Sequence, residues 1–234
     1  AFLSCSMLTN VSAQYSLTIE SAPAVAIEGS TVYRFYVNMT DASDKFSAVF
    51  GNDQSPLVLN TPDGVFNSTF NASGNASGIN PAYLGFFPEM ADDSYYTIGL
   101  DGPASVSGIT GSDDPSLVED SDLDPGIAEY FLTNGLTGLN VNTLTGGSWY
   151  VLNTASNNLP QDDALRVLVM QVTTSGDITG TLNYQVFPLG VGADEVQSSV
   201  DFDGAGTFGG APVEDCAGVL DGDSTVDECG TCDN

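Results

Sequence analysis

Histidine is absent from the 234-residue chain, and basic residues are nearly absent. The lack of histidine excludes Ser-His-Asp and Cys-His nucleophilic catalysis as well as histidine-based zinc sites. It also removes the side chain that enzymes use most often as a general acid or base near neutral pH. Lys45 is the single lysine, so Schiff-base chemistry would depend on that residue alone. Paired carboxylates are the main catalytic option that this composition leaves.

Positive charge is equally scarce. Three basic residues, Arg34, Lys45 and Arg166, stand against 31 acidic ones, and the formal net charge is −28. The chain is therefore not expected to bind nucleic acid, because such binding depends on Lys and Arg at the phosphates. Anionic membrane surfaces are disfavoured for the same reason. Two interpretations of the acidic excess remain open, namely solubility through self-repulsion and a requirement for bound cations, calcium first among them.

Long hydrophobic runs are also missing. The longest apolar stretch, residues 165–172, contains Arg166 and Gln171 and is typical of a strand. It is far shorter than the ~18–20 apolar residues of a membrane-spanning helix, so no membrane span is predicted. Hydrophobic residues nevertheless make up 41% of the chain, which is enough to form a core.

Apolar residues alternate with polar ones in many short segments that Gly, Asn and Asp separate. This pattern predicts an all-β fold, a single β-sandwich or jelly-roll-like domain, with a short irregular C-terminal module rich in Cys and Asp. Residues 148–152, 165–172 and 179–187 are the strongest strands, and Ser175-Gly-Asp177 predicts a hairpin turn between the last two. Residues 101–128 are predicted as a long acidic loop, and residues 193–200 as the best short helix.

Composition divides the chain into three predicted parts. Residues 1–13 form an apolar N-terminal strand or extension, a candidate intersubunit strand, and residues 14–200 form the sandwich. Residues 201–234, rich in Asp, Gly and Cys, form a tail or linker.

The tail carries the candidate metal site. Carboxylates recur there at short spacings around glycines, and a tight glycine-bent loop turns alternate carboxylates inward to supply the six to eight oxygens that calcium requires. The best candidate ligands are Asp221, Asp223 and Asp227, joined by Asp215, with a weaker second loop at Asp201 and Asp203. The alternative interpretation is a solvated, acidic, flexible linker.

Three of the four cysteines, Cys216, Cys229 and Cys232, lie in the tail, and Cys5 lies near the other end of the chain. A zinc site would need all four thiolates, and a Cys-x-x-Cys redox site at Cys229 and Cys232 lacks the sequence context that lowers a thiol pKa. Disulfides in an oxidising compartment are the favoured interpretation. Cys216 is predicted to pair with Cys229 or Cys232, and Cys5 with the remaining one, within the chain or across to a neighbouring subunit.

Five Asn-x-Ser/Thr sequons are candidate glycosylation sites. Three of them recur at a spacing of four residues within a polar segment predicted as a loop, where glycans would cover it. If the source does not glycosylate, these are ordinary turn residues. The five asparagines are Asn10, Asn38, Asn67, Asn71 and Asn75.

A catalytic alternative would use acidic pairs, since glycoside hydrolysis needs two carboxyls ~5–9.5 Å apart. Such pairs are common in any acidic chain, so solvated loop faces are the favoured interpretation, and no catalytic residue is assigned. The candidate pairs are Glu89 with Asp92 and Asp93, and Glu119 with Asp120. Trp149-Tyr150 and Tyr95-Tyr96 are candidates for a carbohydrate groove, although core packing is favoured for all four.

The tail, from Asp215-Cys-Ala-Gly-Val to Asp227-Glu-Cys-Gly-Thr-Cys, resembles the Asp/Cys/Gly repeats that follow β-rich modules in secreted surface proteins of aquatic microbes. It is also similar to thrombospondin type 3 calcium repeats, although one partial repeat replaces the tandem series. The body, at residues 32–41 and 86–93, resembles the β module that precedes such tails, a class that includes subunits of extracellular filaments.

This resemblance implies a structural role outside the cell. The expected function is a non-enzymatic subunit of a surface fibre or filament, assembled with copies of itself in a helical or linear array by strand exchange and stabilised by calcium and disulfides. The donated strand would come from the apolar N-terminal segment and add to an open sheet edge of the next subunit. The second expectation is a secreted adhesin or carbohydrate-binding module whose partners are surface glycans.

Overall fold

The computed structural model describes residues 15–210 together with Cys216, residues 225–226 and residues 232–233. Within these residues the chain is nearly all β, and twelve strands form two antiparallel sheets. The predicted fold class, an all-β sandwich, is confirmed. No helix in the described part is long and apolar enough to cross a lipid bilayer.

In chain order, the strands of the two sheets are β1 (Ser16–Pro23), β2 (Thr31–Asn38), β3 (Lys45–Gly51), β4 (Leu57–Asn60), β5 (Tyr95–Tyr96), β6 (Ser116–Glu119), β7 (Gly138–Val141), β8 (Gly147–Tyr150), β9 (Arg166–Thr174), β10 (Thr179–Phe187), β11 (Val196–Asp203) and β12 (Gly206–Gly209). In the tail, β13 (Thr225–Val226) pairs with β14 (Cys232–Asp233). Short 3-10 helices cover Ala76–Gly78, Pro88–Asp92, Ala104–Val106, Pro188–Gly190 and Gly192–Asp194, and one helical turn, α1, covers Ile127–Tyr130.

The first sheet, sheet I, has the strand order β12-β1-β2-β9-β5. The second, sheet II, has the order β6-β8-β3-β10-β4-β7, with β11 on the other side of β10. The apolar face of each sheet packs against the other. Leu17 and Ile19 of β1 are buried there because side chains two residues apart share a face of a strand.

The largest buried side chain, that of Trp149 in β8, links the two sheets. Its indole nitrogen donates a hydrogen bond of 3.1 Å to the backbone oxygen of Val169 in β9. Its ring packs against Tyr96 and Phe131 at centroid distances of 5.8 and 6.2 Å. Core packing, the favoured interpretation of Trp149, Tyr95 and Tyr96, is confirmed because all three are buried, whereas Tyr150 is half-buried.

The predicted hairpin between β9 and β10 is wrong. β9 pairs with β2 and β5 in sheet I, whereas β10 pairs with β3, β4 and β11 in sheet II. The turn at residues 175–178 therefore carries the chain from one sheet to the other. A turn signal shows that the chain reverses, but it does not show which strand becomes the hydrogen-bonded partner.

The sandwich also continues beyond the predicted boundary at residue 200. β11 alternates buried and exposed residues up to Asp203, and β12 then pairs with β1. The short helix predicted at residues 193–200 is wrong, because only a 3-10 turn at Gly192–Asp194 precedes β11. Residues 101–128 are likewise not one loop, since they contain β6 and the start of α1.

The two ends of sheet I differ in the chain segments that are attached to them. Ser16, the first residue of β1, lies opposite Gly209, near the end of β12. The N-terminal segment and the C-terminal tail therefore depart side by side from this end, which we call the exit end. At the other end, Pro23 pairs with Thr31, and Thr31 pairs with Thr174. We call this the turn end, because the β1–β2 turn lies there.

Candidate functional site

Four of the predicted calcium ligands, Asp215, Asp221, Asp223 and Asp227, lie outside the described residues. The other two, Asp201 and Asp203, lie on β11 rather than in the predicted loop, and both are exposed. The Thr181 hydroxyl donates a 2.6 Å hydrogen bond to Asp201.

The donor set on β11 does not fit calcium. Across the described part of the chain, no group of three acidic or cysteine side chains is placed to hold a metal ion. Two carboxylates on one strand supply too few of the six to eight oxygens that calcium takes. Calcium binding therefore stays a prediction that concerns the tail.

One disulfide is present among the described residues. Cys216 is bonded to Cys232, with their Cα atoms 5.5 Å apart. This is one of the two pairings predicted for Cys216. Cys232 belongs to β14, so the bond links Cys216 to the small β13–β14 pair. Cys5 and Cys229 lie outside the described residues, and a disulfide between them stays a prediction.

The sequon asparagines do not lie on an exposed loop as predicted. Asn67 is buried, and its amide nitrogen donates to the backbone oxygens of Tyr130 and Thr133 at 2.8 and 2.9 Å. Asn71 is also buried, and its amide nitrogen donates to Asp93 at 2.7 Å. A glycan attached to either nitrogen would have to displace these buried hydrogen bonds.

The other sequons differ in their surroundings. Asn38 is half-buried on β2 and donates to the hydroxyls of Ser16 and Thr18, both at 2.8 Å. Asn75 caps the 3-10 helix Ala76–Gly78 by accepting a hydrogen bond from the Ser77 backbone. Asn10 lies outside the described residues. Glycosylation at Asn10, Asn38 and Asn75 stays a prediction.

The candidate catalytic carboxylates hold backbone turns. Asp92 is fully buried, and its two oxygens accept hydrogen bonds from the backbone nitrogens of Val25, Ala26 and Ile27 at 2.6, 2.6 and 3.0 Å. The carboxylate thereby ties the 3-10 helix Pro88–Asp92 to the β1–β2 turn. Glu89, in the same 3-10 helix, is half-buried.

Asp93, next to Asp92, is also fully buried but has different partners. It accepts hydrogen bonds from the Ser68 backbone nitrogen at 2.5 Å and from the Asn71 amide at 2.7 Å. Burial raises the pKa of the Asp93 carboxyl to about 7, because charging it requires loss of water, and the two hydrogen bonds offset only part of that cost. The carboxyl thus joins two parts of the segment between β4 and β5.

Glu119 and Asp120 also have structural partners. Glu119 accepts hydrogen bonds from the backbone nitrogens of Ile127 and Ala128, at the start of α1. Asp120 accepts one from the Thr143 hydroxyl at 2.8 Å, which lowers the pKa of its carboxyl. The geometry therefore assigns all four of these carboxylates to holding turns and a helix start.

An exposed aromatic groove lies within residues 70–90. We use this name for the groove lined by Phe70, Ser77, Asn80, Tyr83, Phe87 and Met90. Its volume is about 390 Å³. The rings of Phe70 and Phe87 pack at a centroid distance of 4.1 Å and an interplanar angle of 31°. Met90 is buried beneath them.

Large apolar side chains at the groove are unusually exposed. Exposed fractions are 48% for Phe70, 53% for Tyr83 and 79% for the neighbouring Phe86. A turn places Tyr83 and Phe86 at the surface, since the backbone nitrogens of Phe86 and Phe87 both donate to the Tyr83 backbone oxygen at 2.9 Å. Clustered exposed apolar surface on a folded protein marks an interaction site. The groove is therefore the best candidate functional surface in the described part of the chain.

The shape of the groove depends on the buried side chain of Asn71. Gly78 lines one side, and a Cβ atom there would lie 1.8 Å from the Asn71 side-chain oxygen, so only glycine fits. Asn71 in turn is held by Asp93. The polar side chains thus fix the backbone that displays the aromatic ones. No sequence pattern predicted the groove, although residues 64–88 contain no charged residue in this highly acidic chain.

The two arginines form a second surface feature, on the outer face of sheet I. The guanidinium groups of Arg34 and Arg166 lie 5.8 and 4.1 Å from the ring centroid of Tyr36. Arg166 pairs with Glu20 at 2.5 Å, and Arg34 with Asp101 at 3.6 Å. Because each guanidinium already has a carboxylate partner, the surface around Tyr36 does not provide a positive site for an anionic ligand.

No protein-family model, no curated protein and no solved structure matches the chain. The features of the chain that bear on function are therefore its own, above all the aromatic groove and the exit end of sheet I.

Proposed function

We propose that the chain is an extracellular structural protein, the subunit of a surface fibre or filament that forms by exchange of N-terminal segments between copies. One observation carries the proposal. The N-terminal segment and the tail leave the sandwich side by side, from Ser16 and Gly209, at one end of sheet I. Both extensions are thus attached at the same end of the sandwich.

The charge distribution supports this role. Residues 1–19 contain no charged residue, although the whole chain carries a formal charge of −28. Copies with this charge repel one another, so a stable contact between them needs uncharged surface. The N-terminal segment, with Phe2, Leu3, Met7 and Leu8, supplies such a surface.

The tail contributes covalent bonds and, in this proposal, calcium. The Cys216–Cys232 disulfide supports an oxidising, extracellular location, because such bonds are rare in the cytosol. Calcium bound by Asp215, Asp221, Asp223 and Asp227 would stiffen the tail and screen the repulsion between subunits. Removal of calcium with a chelator is expected to loosen or dissociate the assembly.

Electron microscopy and sedimentation velocity of the purified full chain test the proposal. We expect filaments for the full chain and monomers for a chain that lacks residues 1–13. A Cys5→Ser variant separates loss of the apolar segment from loss of a thiol, and it should still assemble. If the chain without residues 1–13 forms the same filaments, the proposal is wrong. Filaments unaffected by EDTA would remove calcium from it.

A carbohydrate-binding module or adhesin is the second candidate, and the aromatic groove favours it. Exposed aromatic rings beside the polar Asn80 and Ser77 side chains provide the apolar surface and the hydrogen-bonding groups of a small ligand site. Monomers that bind defined glycans on an array, and lose that binding on Tyr83→Ser, would favour this function over the structural one.

A further inference from the structure

We propose that the exposed aromatic groove of one copy receives the N-terminal segment, residues 2–11, of a second copy, so that copies join head to tail. This inference rests on the proposed function and names the receiving surface. The contact it describes is heterologous, because the donor segment and the acceptor groove are different parts of the chain. Heterologous contacts that do not close into a ring produce open filaments.

The segment that forms the groove is tied to the turn end of sheet I at both of its flanks. Val65 pairs with Thr174 at that end, and the backbone nitrogen of Phe66 donates to the Thr173 oxygen at 2.7 Å. On the other side of the groove, Met90 belongs to the 3-10 helix that Asp92 ties to the β1–β2 turn. The two flanks of the segment are therefore anchored at the turn end, whereas its middle, at Ile79 and Pro81, packs against Gly102.

The donor segment leaves from the opposite end. It precedes Tyr15, which is buried next to Ser16 at the exit end. To reach the groove of its own chain, the segment would have to run back along the length of β1, about 26 Å for eight residues. A second copy stacked along the strand direction needs no such reversal, since its exit end faces the turn end of the first.

Charge favours the same pairing. Residues 1–19 and residues 64–88 are both free of charged residues. Contact between these two parts avoids placing like charges together, which would weaken association. Both partners are apolar as well, with Phe2, Leu3, Met7 and Leu8 in the donor and exposed phenylalanine and tyrosine rings in the acceptor.

The size of the groove suits a few side chains rather than a whole domain. Its volume of about 390 Å³ lies near the lower limit of the ~300–1,000 Å³ typical of ligand pockets. Buried aromatic anchors in such pockets carry a large share of the energy of an interface. Two or three apolar side chains of the donor segment, entering between Phe70 and Tyr83, would fill this volume.

A fluorescently labelled synthetic peptide of residues 1–13, with serine in place of Cys5, tests the inference directly. The acceptor is the chain that lacks residues 1–13, which has a free groove under the proposal. We expect saturable binding, weakened at least tenfold by Tyr83→Ser in the acceptor or by a combined Phe2→Ser and Leu3→Ser change in the peptide. The control Leu144→Ser removes a side chain that is 83% exposed outside the groove, and it should change the Kd less than twofold.

The outcomes separate this inference from the proposed function. If the truncated chain no longer forms filaments but Tyr83→Ser leaves peptide binding and filaments unchanged, another surface receives the segment and the inference is wrong. If the truncated chain still forms filaments, the proposed function itself is wrong. A groove that binds glycans and no peptide overturns the inference in favour of the adhesin. Thermal unfolding of each variant confirms that it is folded.

Discussion

Strand β11 and the segment between residues 64 and 96 differ in which side chains they bury. In β11, buried and exposed residues alternate, and the two most deeply buried side chains, those of Val200 and Phe202, are apolar. In the segment, six polar side chains are buried and three aromatic ones are exposed, whereas Tyr95 and Tyr96 at its end are buried. The buried polar residues are Asn67, Ser68, Asn71, Asp92, Asp93 and Ser94, and the exposed aromatic ones are Phe70, Tyr83 and Phe86.

This difference shows what the segment is built to do. A buried polar group is costly unless it is hydrogen-bonded, and the buried amide nitrogens and carboxylates here have partners on separate parts of the backbone. Those hydrogen bonds fix an irregular backbone whose own hydrophobic cluster is small, formed by Ala76, Ile79 and Tyr95. The aromatic side chains are then left for the surface, where they form the groove.

The largest expected effect follows removal of the Asp92 carboxylate. Asp92→Ala leaves three backbone nitrogens of the β1–β2 turn without their acceptor. Because hydrogen bonds to a charged group contribute ~1.5–3 kcal/mol each and do not add fully, the free energy of unfolding should fall by about 3–5 kcal/mol in urea denaturation. Asp92→Asn keeps one oxygen acceptor and should show an intermediate loss. An unchanged stability in both variants would contradict the anchoring role of Asp92.

Removal of a buried asparagine should have a smaller effect. Asn67→Ala deletes two hydrogen bonds to the backbone oxygens of Tyr130 and Thr133. We expect a loss of about 2–3 kcal/mol in the free energy of unfolding, since unsatisfied buried groups cost ~1–3 kcal/mol each. Asn140→Ala, an exposed position on β7, is the matched control and should change stability by less than about 0.5 kcal/mol. Equal effects would mean that Asn67 is not buried in solution.

The free energy of unfolding should depend on pH through Asp93. Its pKa in the folded chain is about 7, above the usual value of 3.8, so the folded state holds a proton that the unfolded state has released. The stability that this proton contributes is complete below about pH 4 and is lost as pH rises through 7. Asp93→Asn should remove this part of the pH dependence.

Chemical denaturation of the native chain and the Asp93→Asn variant between pH 4 and 8 measures this effect. The variant should be less stable than the native chain at pH 4, by about 1–2 kcal/mol, because an amide cannot match the proton positions of the carboxyl. The difference should shrink as pH rises. A difference that stays constant with pH would contradict the raised pKa.

The smallest effect on stability should come from the exposed aromatic side chains. Tyr83→Ser and Phe86→Ser remove rings that are mostly in solvent, and each should change the free energy of unfolding by less than about 0.5 kcal/mol. A loss of several kcal/mol would mean that the rings belong to the core of the segment. The groove would then be part of the fold rather than a surface for a partner.

Sequence periodicity accounts for the sandwich but not for this segment. β1, β2, β3 and β10 follow from alternating apolar residues, because period-two alternation depends only on which face is buried. The pairing of β9 and β10 with different sheets does not follow, since a local turn does not specify a partner strand.

The sequence did not predict the burial of Asn67 and Asn71 either. Their spacing is the same as that of exposed turn residues, and only the tertiary contacts with Tyr130 and Asp93 reverse their exposure. The groove had one signal in the sequence, the absence of charge over residues 64–88. The absence of charge indicates an interaction surface only when the structure shows that the aromatic side chains are exposed.

In the proposed filament, copies join head to tail, with a donor segment at one end and an acceptor groove at the other. Sedimentation velocity on a mixture of two variants separates the donor from the acceptor. One variant lacks residues 1–13 and keeps its groove, and the other carries Tyr83→Ser with Phe86→Ser and keeps its N-terminal segment. Each alone should be monomeric, and together they should form dimers that grow no further. A mixture that stays monomeric, or that forms long filaments, would contradict head-to-tail joining.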